Sequence, residues 1–159
     1  TSLGRKPAGE ANGFTASYEM IYEPGELLAV SYTTGAETGR FVLKTADADV
    51  ELQVTVEGET LRADGEDLAF VTVRLTDKEG VENLYAEKEI TVTVEGAGTL
   101  QGFGSADPRA IGSYDGVTWK TYDGYVMAVI RAGAEAGEIR VKFAAEGCET
   151  QEVVIHTEK

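Results

Sequence analysis

The sequence predicts an all-β fold, a β-sandwich with Greek-key links, on three observations. Apolar residues recur with period two in short blocks, which gives each block one dry face and one wet face. Gly, Asp and Glu turns separate the blocks, in a chain that holds 19 glycines and three prolines. No convincing helix is present, so the strands must pair through short links rather than through helical crossovers.

The elements follow in chain order. Residues 14–22 place Phe14, Ala16, Tyr18 and Met20 on one face, residues 26–33 do the same with Leu28, Val30 and Tyr32, and residues 40–45 form a third strand. The clearest block is 49–57, where Val50, Leu52, Val54 and Val56 alternate with Glu51, Gln53 and Thr55. Residues 68–76 carry Val71, Val73 and Leu75 on one side and Leu68 and Phe70 on the other, which predicts a central strand covered on both faces near its start. Residues 89–95 turn Ile90, Val92 and Val94 inward. Residues 125–130 are continuously apolar and read as interior, and residues 137–145 turn Ile139, Val141 and Phe143 inward with Arg140 and Lys142 toward water. The runs Ala63-Asp64-Gly65-Glu66-Asp67 and Asp77-Lys78-Glu79-Gly80 supply turns, because Asp and Gly accept tight or positive-φ conformations.

Composition narrows the function. With 14 Lys and Arg against 28 Asp and Glu the net charge is −14, so the surface repels a phosphate backbone and nucleic acid is not expected as a partner. The longest apolar run, residues 126–130, is far below the roughly 20 residues of a membrane span, and no charged-then-apolar leader opens the sequence. Cys148 is the single cysteine, so the fold rests on burial and backbone pairing without an internal disulfide. Charge is uneven along the chain: residues 1–46 hold four cations and five anions, residues 47–159 ten and 23. A boundary near residues 45–49 is expected, and the three or four strands before it make too small a sheet to bury much apolar area alone.

Several strings resemble a known family. Ser2-Leu3-Gly4-Arg5-Lys6, the aromatic start at Phe14, Tyr22-Glu23-Pro24-Gly25-Glu26-Leu27 and Leu43-Lys44-Thr45-Ala46 resemble the immunoglobulin-like domain that follows the catalytic barrel in bacterial family 2 glycoside hydrolases. Leu61-Arg62-Ala63-Asp64-Gly65-Glu66-Asp67-Leu68-Ala69-Phe70-Val71, Val94-Glu95-Gly96-Ala97-Gly98, Gly104-Ser105-Ala106-Asp107-Pro108 and Tyr122-Asp123-Gly124-Tyr125 resemble the C-terminal bacterial immunoglobulin-like domain of the same enzymes. The resemblance implies an immunoglobulin-like β-sandwich at residues 47–159, preceded at 1–46 by a truncated second immunoglobulin-like sheet whose leading strands are missing. It implies a non-catalytic accessory role in a parent of β-galactosidase or β-glucuronidase type, bacterial, cytoplasmic or exported with that parent. The expected partners are the parent's catalytic barrel, its neighbouring domains and a second copy of the chain. A carbohydrate-binding or bacterial adhesin-type module is the alternative.

No residues are expected to form a catalytic, cofactor or metal site. Retaining glycosidases need two carboxylates about 5 to 5.5 Å apart on a rigid scaffold, whereas the acids here fall at strand edges and in turns. His156 near the end of the chain and Cys148 in the Gly147-Cys148-Glu149 turn are too far apart in the pattern to suggest a nucleophile and its base. Asp47-Ala48-Asp49 and Asp64-Gly65-Glu66-Asp67 gather hard oxygen ligands in loops, yet neither follows the twelve-residue calcium loop. Asp107-Pro108 reads as a turn in a Gly-rich loop. For carbohydrate, the candidate contacts are Tyr114 and Trp119, in the segment 114–122 that holds the only tryptophan. A pyranose face stacks on an aromatic ring. Closing one end of the sandwich with Tyr122 and Trp119 is the other role open to this segment.

Overall fold

The computed structural model describes all residues, 1–159. The chain divides into two compact units, Thr1–Lys44 and Thr45–Lys159.

The first unit is a single hairpin with an extended lead. β1 (Glu26–Thr33) and β2 (Ala36–Lys44) pair antiparallel through Thr34 and Gly35. Both turn residues have positive φ, 50° and 88°, the two-residue turn whose twist matches that of its strands. Before it, Glu10–Asn12 forms one 3-10 turn. Residues 14–22, expected as a strand, join no ladder. Their alternation marks a face, but a face becomes a strand only where a neighbour takes up its N–H and C=O groups. The apolar side chains of the hairpin stay in water: Leu27, Leu28, Tyr32, Phe41, Val42 and Leu43 are all exposed, Phe41 by 65%. Two cations lie over rings in this unit, Arg5 above Tyr32 at 4.3 Å and Lys6 above Tyr18 at 4.8 Å.

The second unit is a two-layer sandwich. Its strands are β3 (Glu51–Glu57), β4 (Thr60–Arg62), β5 (Leu68–Thr76), β6 (Glu89–Gly96), β7 (Gly98–Gly104), β8 (Thr118–Lys120), β9 (Tyr125–Ala132), β10 (Gly137–Ala145) and β11 (Gln151–Glu158). One sheet has the order β3-β5-β9-β7, the other β4-β11-β10-β6-β8. All pairs are antiparallel except β4 with β11, which run parallel over Thr60–Arg62. Apart from β10 and β11, every consecutive pair of strands changes sheet. The facing residues fill the space between: Val71, Val73, Leu75, Val126, Ala128 and Ile130 from one sheet, Ile90, Val92, Ile139, Val141, Phe143 and Ile155 from the other, all at 0–1% exposure. Each of these side chains except Ala128, which is smaller, contributes about 1.5–3 kcal/mol by leaving water. Phe103 and Phe143 meet across the layers at 6.3 Å between ring centres.

The corner between β6 and β7 requires glycine. Gly96 has φ 100°, and a methyl group there would lie 2.1 Å from the Glu138 carbonyl oxygen. Ala97 then ties the corner down, donating its N–H to Glu138 at 2.9 Å and accepting that of Gly133 at 2.8 Å.

One expectation about coverage changes. The strand at 68–76 is central, but Phe70 is 38% exposed, and its cross-strand neighbourhood on β9 includes exposed Met127. The outer face of this sheet is therefore wet despite its apolar residues, because nothing in this unit packs over it. No helix is long and apolar enough to cross a membrane.

Candidate functional site

β7 and β9 are hydrogen-bonded neighbours in one sheet, yet the chain between them leaves that sheet, adds β8 to the edge of the other, and returns. The excursion carries most of the residues singled out from the sequence. It opens at Asp107, whose carboxylate accepts the backbone N–H of Arg109 at 2.9 Å and grips its guanidinium through Nε at 3.0 Å and Nη2 at 3.2 Å. The guanidinium lies 5.8 Å over the ring of Tyr122. Side-chain hydrogen bonding from Arg109, then its backbone N–H, holds the Asp107 carboxyl below its ordinary range. The Asp107-Pro108 segment is thus a turn, closed by Ala110 N–H on the Asp107 carbonyl at 3.1 Å.

Further on, Tyr114 lies flat on Trp119, ring centres 5.0 Å apart and planes at 19°. β8 positions the indole by pairing Trp119 with Ile90 of β6, which half-buries it against the core. Its Nε1 donates to Ser105 Oγ at 3.0 Å, which satisfies the one polar atom of the ring. Glycines make the room: a methyl at Gly104 would sit 2.2 Å from the Tyr114 ring, and one at Gly112 2.9 Å from the indole. The Tyr114 carbonyl accepts the Phe103 N–H at 2.8 Å, and Ser113 donates its hydroxyl to Asp115 at 2.8 Å. Tyr114 remains 51% exposed. The two rings named from the sequence therefore come together, but in different roles, with Trp119 behind and Tyr114 in front. Ser105, Gly104 and Gly112 were not anticipated. A Gly-Ser pair at a strand end carries no signal of its own until the aromatic partner's position is known.

The other named residues lie apart. His156 is exposed on β11 and Cys148 is half-buried, its thiol donating to the Val50 carbonyl at 3.3 Å. Asp47 and Asp49 are exposed beside a shallow depression that Lys78 also lines. Asp64 accepts the N–H groups of Glu66 and Asp67, each at 2.9 Å, and those bonds lower its pKa, the Glu66 one most. Asp67 accepts from Arg62 N–H at 2.9 Å and Leu68 N–H at 3.1 Å. These acids close turns. No group of three His, Cys, Asp or Glu side chains is gathered where it could hold a metal. Glu37, Asp64, Asp107 and Glu152 are all shifted toward permanent charge, the opposite of what a general acid requires.

Two stacked sheets with a parallel edge pair define an immunoglobulin-like β-sandwich. The chain belongs to glycoside hydrolase family 2 C-terminal domain 5, whose model matches residues 52–154. It is 26% identical over 131 residues to the β-galactosidase BoGH2A of Bacteroides ovatus, a match covering 82% of this chain and 15% of that protein. A glycosyl hydrolase family 2 member from Bacteroides cellulosilyticus superposes with TM-score 0.94 at 30% identity, over 99% of this chain and 20% of that one. A family 2 β-glucuronidase shares the fold, with TM-score 0.78 at 20% identity over 87% of this chain and 15% of that one. The chain thus spans a fifth or less of the length of these relatives.

Proposed function

We propose that the chain is the non-catalytic C-terminal accessory region of a family 2 glycoside hydrolase of β-galactosidase or β-glucuronidase type, where it supports the catalytic barrel or an oligomer. Residues 1–46 are then a partial immunoglobulin-like unit and residues 47–159 a complete one. The observation that carries the reading is the hairpin of the first unit. Leu27, Leu28, Phe41 and Leu43 stand in water on a two-stranded ribbon, and such a ribbon is marginal unless its apolar side chains are covered. A neighbouring domain of the enzyme is the natural cover. Relatives in which the matching segment is a small part of a long polypeptide support the same assignment.

Two measurements test it. The purified chain releases no p-nitrophenol from p-nitrophenyl β-galactoside or β-glucuronide, and turnover by the chain itself overturns the reading. In the whole enzyme, Phe41→Ser with Leu43→Ser lowers the melting temperature or dissociates the oligomer while each folded active site keeps its kcat. An enzyme indifferent to that pair of changes counts against a supporting role.

A further inference from the structure

We propose that the outer face of Tyr114 is a platform for a neutral pyranoside of the β-galactoside type, an inference that rests on reading the chain as part of a glycosidase. One face of this ring is taken by Trp119, at 5.0 Å and 19°, and its edge by Gly104. The indole is itself fixed by Ser105 and by its contact with the core. Tyr114 sits one layer further out and does not belong to the core or to the residues packed on it. Tyr114 keeps 51% of its surface exposed although Trp119 covers one ring face and Gly104 lies against one edge.

A pyranose presents a patch of C–H groups that packs on such a flat ring, while its hydroxyls seek polar neighbours at the rim. Ser113 and Asp115 flank the tyrosine in the chain, are exposed, and are joined to each other at 2.8 Å. They offer a hydroxyl and a carboxylate to sugar hydroxyls. The ring is already held before any ligand arrives, so binding forfeits little side-chain entropy.

Charge selects among sugars. The chain carries a net −14 and Asp115 places a carboxylate next to Tyr114 in the chain, so a uronic acid meets repulsion that a galactoside does not. The platform therefore suits a neutral ring.

Amide and indole NMR spectra of the 159-residue chain, titrated with methyl β-galactopyranoside and separately with methyl β-glucuronide, test the platform. Galactoside is expected to shift the signals of Ser113, Tyr114, Asp115 and the Trp119 indole N–H saturably, with the glucuronide at least about fivefold weaker. Tyr114→Ala abolishes the shifts and Tyr114→Phe keeps them, because the ring face and not the hydroxyl makes the contact. Should Tyr114→Ala fail to fold, the map of shifts in the unsubstituted chain and the Tyr114→Phe result decide. Shifts that are absent or unsaturated at about 50 mM galactoside, shifts unchanged in a folded Tyr114→Ala chain, or glucuronide binding as tight as galactoside overturns the proposal. Such a failure leaves the supporting role intact if Phe41→Ser with Leu43→Ser still weakens the whole enzyme, whereas hydrolysis by the chain itself removes the supporting role and not the platform.

Discussion

Gly96, Asp77 and the charged turns each answer to a different physical constraint. At Gly96 both the backbone angle and the Glu138 carbonyl exclude a side chain, so Gly96→Ala is expected to cost at least about 2 kcal/mol in a urea melt. Asp77 is 5% exposed and accepts N–H groups from Glu79 and Val81 at 2.9 Å and from Asp47 at 3.1 Å. Asp77→Ala removes a buried acceptor that ties three backbone N–H groups together, and because Glu79 and Asp47 are exposed and water can reach their N–H groups, the expected loss is about 1–3 kcal/mol measured the same way. Among the exposed acids, Asp107 sits below its ordinary pKa chiefly because Arg109 bonds its side chain. The folded form then binds fewer protons than the unfolded chain as the pH falls through the carboxylate range. Its contribution to stability is complete above the unfolded value of about 4 and is lost as pH falls through the depressed folded value. Carboxyl NMR titration is expected to place the Asp107 midpoint below 3.8, and Arg109→Gln to raise it. The Asp-Gly turn at 64–67 was legible in the sequence because such turns are local. The ring pair was legible only as two names, since the Ser105 and glycine seats that rank Trp119 behind Tyr114 are made by residues up to 14 positions from the rings they hold.

Strands were read well where a block is long enough to show its pattern, whether it is buried like β10 or exposed like β1. The expected spans 68–76, 137–145 and 26–33 coincide with β5, β10 and β1, and 89–95 falls one residue short of β6. β4, β7 and β8 escaped: three residues cannot display a period of two, and β4 and β8 exist only as edge partners of longer strands, while the glycines at 98, 102 and 104 interrupt the alternation of β7 and left its end reading as loop. The opposite error at 14–22 has the same origin, since a period can be present without a neighbour to pair with. β10 is the element on which most depends: it pairs with both β6 and β11 and sends Ile139, Val141 and Phe143 to zero exposure. Phe143→Ala is expected to cost about 3–5 kcal/mol, with a loss of cooperative unfolding if the contact with Phe103 fails to collapse. Denaturant curves followed by Trp119 fluorescence and by far-ultraviolet circular dichroism check both points.

The whole molecule joins a closed unit and an open one. Residues 45–159 bury a continuous core between sheets linked by repeated crossings, while residues 1–44 bury almost nothing. Hydrogen exchange is expected to separate them: amides of β5, β9 and β10 exchange only on global unfolding, and those of β1 and β2 exchange orders of magnitude faster in the 159-residue chain. Slow exchange in the hairpin would mean that its apolar side chains are covered even without other domains. Exposure of the hairpin is a property of packing, and no count of Leu and Phe reveals which of them find a neighbour.

The parallel pairing of β4 with β11 has a mechanical meaning. Drawing Glu59 and Lys159 apart slides these two strands along one another, so the pairs Thr60–His156, Leu61–Thr157 and Arg62–Glu158 are strained together and not peeled one after another. A domain latched in this way resists tension along its strands better than a hairpin, whose pairs unzip one at a time.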